Sequence, residues 1–415
     1  MKPAPSYVRD LPPTVGTGPP FAPGTATWEP YDAPFHHAVT AAYEPVIDHY
    51  FRAHVVGAEH LPTEGPALLA ANHSGSGFPH DAMVLDTLLW RRDGRPGPER
   101  KLRTLFEREI SLAWWTRFLG LDDFWRRCGG VDTTVTNMDR LLARGTRALY
   151  FPEGADGIAK GFDQRYRLQP FSPAFVKLAA RHDAPVVPVH VVGAEWAAPF
   201  GYTTRRANRF VQRWLHVPFF PFPVILLGLV PVLWYFALPC KLRYVVTEPV
   251  DVRSWLRDAG AADPSRPTRS EAEAVAERLR EQMQAELDRQ VAVHGRAPFD
   301  VRSLGPSLWR QRRRLLRLLP TGWPGPFLRL ERDLKEGASS RRRFRDWDLF
   351  AWYVPVLGWP LLALLRRLRR PPCGFRGLAR RAARLQQGEF RWSLKDLPLP
   401  PLEASPPLPI SSATP

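Results

Sequence analysis

From about Pro34 to Val250 the sequence alternates short apolar runs with segments of helical period, a pattern that few architectures accommodate. The runs "ALLAAN" (67–72), "LRTLF" (102–106), "RALYFP" (147–152), "PVVPVHVVG" (185–193) and "LRYVVTEPV" (242–250) have strand length and are bounded by turn residues. Between them, "DAMVLDTLLWRR", "VTNMDRLLARG" and "SPAFVKLAARHD" repeat apolar residues three and four positions apart, as one face of a helix requires. Strands that alternate with helices are joined by crossovers, which make neighbouring strands parallel and put helices on the sheet faces. The expectation is an α/β fold: a mainly parallel sheet flanked by helices, with membrane-interfacial segments added to it.

The flanks differ in character. Residues 1–33 combine Pro and Gly with no apolar core segment, which predicts a disordered leader rather than a signal peptide. Residues 34–295 hold the α/β pattern. Within them, Val217 to Pro239 carries no charge, but Pro218, Pro221, Pro223, Pro231 and Pro239 argue against a regular spanning helix. That leaves a buried loop and core strand, or an element dipping into lipid; the preceding "RRANRFVQRW", with four arginines and two aromatics, favours lipid. Ser270 to Val293 reads as an amphipathic helix with a Ser270/Glu273 capping box and a packing stripe of Val275, Leu279, Met283, Leu287 and Val291. Residues 296–392 mix Arg, Trp, Leu and Pro as interfacial segments do. Their uncharged run, Leu349 to Leu365, is interrupted by Pro355 and Pro360 and is expected to lie in an interface, a short anchor being the alternative. Residues 393–415 predict a disordered Pro-rich tail.

A formal charge of +17, dominated by Arg, calls for an anionic partner. Nucleic acid is one class, but no nucleic-acid motif is present, and arginines interleaved with Leu and Trp suit lipid headgroups. The expected location is therefore the membrane surface on the cytoplasmic face, with no nucleic-acid partner. Cys128, Cys240 and Cys373 lie far apart, which fits neither a disulfide framework nor a zinc site.

The chemistry centres on "LLAANHSGSGFPHDAMVL" (68–85). An apolar strand ends in Asn72-His73, a Gly/Ser loop follows, and Asp81 opens a helix, so the carboxylate can fold back onto the imidazole. A neutral histidine held in one tautomer by a carboxylate removes a proton from a hydroxyl as general base. The hydroxyl is expected to be the substrate's, since no GxSxG elbow is present and Ser74 and Ser76 stand too close in sequence to His73 to be its nucleophile. The competing reading is a plain strand-to-helix turn in which Asp81 caps the helix. A second loop, "YFPEGADGIAKGFDQRYRLQPFSPAFVKLA", also follows an apolar strand. It puts Glu153 and Gly154 at a strand's C-terminal end, where open α/β sheets bind ligands, with Lys160, Arg165 and Arg167 placed for an anionic headgroup.

Taken together these motifs resemble the glycerolipid (lysophospholipid) acyltransferase superfamily. Asn72-His73 with Asp81 matches its first block, "CGGVDTTVTNMDRLLARG" the place of its second, Phe151-Pro152-Glu153-Gly154 its third, and Val187-Pro188-Val189 its fourth, over about residues 45 to 255. Seven residues separate His73 from Asp81, a longer gap than most members have, as in a bacterial subgroup with an extended NH…D loop. The resemblance implies a role in phospholipid biosynthesis: transfer of a fatty acyl group from an acyl-CoA or acyl carrier protein thioester to a lipid hydroxyl, with no further cofactor and no metal. His73 would be the base and Asp81 its holder; Asn72, Glu153, Gly154, Lys160 and Arg165 would bind substrate, and backbone donors of the Gly-rich loop would steady the oxyanion. Asp156 stands where many members carry a phosphate-binding arginine, which points to a neutral or zwitterionic acceptor unless Lys160 and Arg165 compensate. The alternatives are a catalytically inactive membrane-binding relative of the same fold and a hydrolase using similar residues. The presence of both His73 and Asp81 argues against the first.

Overall fold

Strands covered on both faces need apolar side chains on both, and the two most continuous apolar runs take the centre of the sheet. They are β2 (Ala67–Ala71) and β6 (Val186–Val192), buried along their whole lengths. The computed structural model describes residues 31–74, 79–97, 100–106, 124–199, 230, 236–314, 318, 351, 353–361 and 364. Among them the sheet adds β1 (His54–Val56), β3 (Arg103–Phe106), β4 (Val131–Asp132), β5 (Arg147–Tyr150) and β7 (Arg243–Val246), in the order β1-β7-β6-β2-β5-β3-β4. The helices are α1 (Ala33–Pro45), which runs into a π turn (Val46–Tyr50), then α2 (His80–Arg92), α3 (Phe124–Arg127), α4 (Val135–Ala143), α5 (Ala155–Ala159), α6 (Ala174–His182), α7 (Val252–Asp258), α8 (Arg269–His294) and α9 (Val301–Arg310).

The five expected strands all enter the sheet, which is mainly parallel and flanked by helices. Two further strands, β1 and β4, are three and two residues long, too short for a period to show in sequence. β7 runs antiparallel to β6 and β1 follows β7, so these two oppose the other five. Side chains of β2 alternate between two cores. Ala67, Leu69 and Ala71 meet α2 and the π turn, while Leu68 and Ala70 meet α4, α6 and α8.

The stripe on α8 packs as expected, with Val275, Leu279, Met283 and Leu287 buried. Its cap lies two residues earlier than Ser270/Glu273. Thr268 Oγ1 accepts from Glu271 N at 3.3 Å, and Thr268 N donates to Glu271 Oε2 at 2.7 Å. Both T-x-x-E and S-x-x-E satisfy the pattern, and the chain turns into the helix directly after Pro267, so the earlier match is used.

Residues 296–310, the start of the region expected to be membrane-interfacial, contact the α/β body. Buried Arg52 donates to Tyr50 O at 2.6 Å, Pro239 O at 3.1 Å and Phe299 O at 2.6 Å, while Lys241 N donates to Pro298 O at 2.6 Å. A guanidinium with its fixed fork of donors ties three loops at once. Most of Val217–Pro239, the leader before Tyr31, most of 315–392 and the 393–415 tail lie outside the described residues. No helix among the described residues is long and apolar enough to cross a membrane.

One core position carries a pH prediction. His190 of β6 is buried, its nearest charges being Glu286 and Arg289, and burial lowers its pKa from the ordinary 6.5 to about 4. Between those values the unfolded chain binds a proton that the folded one refuses. The stability present above pH 6.5 is therefore lost as pH falls toward 4, by about 1.4 kcal/mol per pH unit, or about 3 kcal/mol in all. Urea titrations across this range are expected to show His190→Gln falling less steeply than the parent; parallel slopes would remove His190 as the cause.

Candidate active site

Asn72 follows the last residue of β2, and its side chain continues the pairing where the backbone leaves off. Nδ2 donates to Val191 O at 3.1 Å and Oδ1 accepts from Val191 N at 2.6 Å. The clamp fixes where His73 begins. The His73 backbone N–H donates to Glu153 Oε1 at 2.9 Å, and its ring stacks on Phe151 with centroids 4.1 Å apart. Ring Nδ1 lies 2.7 Å from Asp81 Oδ2.

Asp81 sits in the first turn of α2, where the helix dipole favours a negative charge. Its two oxygens divide the work. Oδ1 accepts from Ala82 N at 2.8 Å, while Oδ2 accepts from His73 Nδ1 and from both Ser74 N and Ser74 Oγ at 3.0 Å. Burial by itself would raise this carboxyl, but the His73 ring and these N–H donors outweigh it and hold the pKa below the ordinary value. An ionised Asp81 accepts, so the imidazole proton sits on Nδ1 and Nε2 keeps its lone pair. Asp81 does not cap α2, whose N-cap is Pro79 with no side-chain cap hydrogen bond; one oxygen meets Ala82 N in the first turn, and the other meets the His73 ring. Ser74 Oγ is spent on Asp81, and Ser76 lies outside the described residues.

The second loop meets the first from the C-terminal end of β5. Gly154 takes φ +56°, ψ −144°, a conformation suited to glycine, and is exposed. Gly157 of α5 lies so close that an added Cβ would stand 2.8 Å from Glu153 Cβ and 3.0 Å from His73 Cβ. Glu153, expected to bind substrate, is turned toward backbone donors. It is buried, braces His73 N through Oε1 and accepts from Gln169 N at 2.8 Å through Oε2. Lys160, expected to grip an anionic headgroup, is buried as well. Its Nζ stands 3.5 Å from Glu153 Oε2 and 3.2 Å from Glu195 Oε1. Burial raises the Glu153 pKa; it works against the Lys160 charge too, but there the two carboxylates prevail and the Lys160 pKa is raised. Arg165 and Arg167 are the exposed cations of the set, the Arg165 guanidinium lying 4.8 Å from the Phe162 ring centroid and 5.7 Å from that of Trp196.

Several residues of this assembly were not expected. Glu195 follows the C-terminal end of β6, a position that could have flagged it. Tyr244, on β7, donates from its hydroxyl to Asp81 O at 2.9 Å, and Tyr43 OH lies 3.1 Å from Nδ1 of His80, the neighbour of Asp81. No local pattern signals either tyrosine, because the contacts join strands and helices far apart in sequence.

A family model described as "Acyltransferase" matches residues 52–192, the span that holds both loops and the strands carrying them. Over residues 52–192, about a third of its length, the chain is thus similar to acyltransferases. Two relatives similar to part of the chain are uncharacterised proteins of Mycobacterium tuberculosis (strain ATCC 25618 / H37Rv) and Mycobacterium leprae (strain TN). The first is 33% identical over 48% of this chain and 52% of its own length, the second 32% identical over 57% and 60%. The chain thus spans between half and two thirds of these curated relatives. A solved structure similar to the chain is the 1-acyl-sn-glycerophosphate acyltransferase PlsC of Thermotoga maritima, at 15% identity and a TM-score of 0.35, covering 61% of this chain and 79% of that one.

Proposed function

We propose that the domain transfers a fatty acyl group from an acyl-CoA or acyl carrier protein thioester to the hydroxyl of a glycerolipid or lysophospholipid. The observation that carries this reading is the 2.7 Å contact of His73 Nδ1 with Asp81 Oδ2, which reserves Nε2 as a base. Nε2 takes the acceptor's hydroxyl proton as its oxygen attacks the thioester carbonyl. The tetrahedral intermediate collapses, the C–S bond breaks, and the leaving thiolate recovers the proton from the imidazolium, whose charge Asp81 offsets. No acyl-enzyme is needed, in keeping with the engagement of Ser74 Oγ by Asp81. Oxyanion donors from the Gly-rich loop would fall on residues 75–78, outside the described residues.

The acceptor proposed is neutral or zwitterionic: a monoacylglycerol, a diacylglycerol or a lysophospholipid. Support comes from Lys160, whose charge is already matched by two buried carboxylates, and from exposed Asp156 in the first turn of α5. In this reading the protein works at the cytoplasmic face of a membrane. Purified protein given labelled acyl-CoA or acyl carrier protein, and vesicles carrying each acceptor, is expected to label these lipids about tenfold faster than lysophosphatidic acid. Equal or faster labelling of lysophosphatidic acid would reject the acceptor class. Label in free fatty acid alone would make the protein a hydrolase.

A further inference from the structure

We propose that α9 is a docking element for an anionic lipid bilayer, an inference that rests on the reading of the domain as acting on lipids. The inner side of α9 is fixed. Ser307 is buried and Leu308 packs into the core shared with α2 and the π turn. His49 of that turn latches the helix with both ring nitrogens: Nδ1 donates to Ser307 Oγ at 3.1 Å, and Nε2 accepts from Gln311 Nε2 at 3.0 Å.

The outer side carries what a bilayer surface selects. Val301, Gly305 and Trp309 recur every four residues and form one stripe; Val301 is 72% and Trp309 68% exposed. Exposed Arg302, Arg310, Arg312 and Arg313 surround it, with Arg312 lying 5.0 Å over the Trp309 ring. No Asp or Glu occurs from Val301 to Leu330, and the carboxylate of Asp300 is paired with Lys241 at 3.0 Å. Apolar residues and a tryptophan left exposed among arginines that meet no carboxylate among the described residues suit the headgroup zone of an anionic leaflet. An acidic protein would account for the arginines and leave the tryptophan and valine unexplained.

The position of α9 gives the contact a use. Phe299, just before it, meets Trp196 with ring centroids 5.8 Å apart, and Trp196 meets Phe162 at 4.9 Å. Trp196 follows the C-terminal end of β6 and Phe162 belongs to the loop after β5, so these rings connect α9 to the C-terminal end of the sheet's parallel strands, where His73 follows β2. A bilayer under α9 would stand beside the loops that receive the acceptor.

The test is sedimentation of the full chain with vesicles of phosphatidylcholine, with and without phosphatidylglycerol. Replacing three surface arginines together, Arg310→Gln, Arg312→Gln and Arg313→Gln, is expected to weaken binding to the phosphatidylglycerol vesicles by about a hundredfold. Val301→Ser with Trp309→Ser is expected to weaken it by about tenfold. On the otherwise intact chain, an environment-sensitive fluorophore at Arg302→Cys should shift to the blue with phosphatidylglycerol vesicles, relative to the parent labelled in the same way. Parental binding by both variants, or a fluorophore that does not respond, overturns the proposal. Parental vesicle binding combined with poorer use of acyl carrier protein also overturns it and assigns the patch to that acidic protein. His73→Ala protein is expected to sediment as the parent does, so docking and chemistry fail separately.

Discussion

His73→Ala is expected to lower acyl transfer by on the order of 10³-fold or more, with little change in the acceptor concentration that half-saturates the enzyme. The effect is large because the described polar groups beside the ring are already engaged: Asp81 accepts four hydrogen bonds and Ser74 Oγ is one of the donors. Asp81→Asn should cost a comparable factor by another route. An amide that donates to Nδ1 would draw the ring proton to Nε2, turning the base into a donor. Rates measured on one acceptor with labelled donor, together with thermal melting, separate this from unfolding. A His73→Ala enzyme within tenfold of the parent would mean that another group takes the proton.

Lys160→Met is expected to cost about 3–5 kcal/mol of stability, read by urea unfolding, because it leaves Glu153 and Glu195 buried with no cation between them. The sign of its pH dependence follows from Glu153. That carboxyl already has a raised pKa from burial, and losing the ammonium raises it further. A carboxyl with a raised folded pKa holds a proton that the unfolded chain has released, so its penalty shrinks as pH falls. The Lys160→Met deficit should therefore be largest at neutral pH and narrow toward pH 5. A deficit below about 1 kcal/mol at neutral pH would show that the two carboxylates do not depend on Lys160. Adding Glu195→Gln should recover part of the loss, since the two positions share one contact.

These two experiments also mark where the sequence was readable. The meeting of His73 with Asp81 is legible because a strand end, a glycine-rich loop and a helix start leave the chain little choice about where the two side chains come together. Lys160 was misread as a headgroup ligand because the partner that consumes its charge, Glu195, lies beyond another helix and strand. Asn72 and Glu153 were singled out, yet their work, a strand clamp and a backbone brace, depends on strand adjacency that only the assembled sheet supplies. The same holds for the reversed β7, since periodicity carries no direction, and for the choice of Thr268 over Ser270, two overlapping matches separated by the path of the chain.

The division of labour between the oxygens of Asp81 bears on how chains that share this pair of loops could change over time. One oxygen serves the first turn of α2 and the Tyr244 hydroxyl steadies the same residue's carbonyl, so the aspartate is held by demands of folding as well as of chemistry. The histidine ring, by contrast, has among the described residues one polar contact, to Asp81, and a stacked phenylalanine. A lineage released from selection for activity would be expected to lose the histidine first and keep the aspartate. In a comparison of related chains, an intact histidine would then be the informative sign of a working enzyme, and the aspartate alone would be a sign only of the fold.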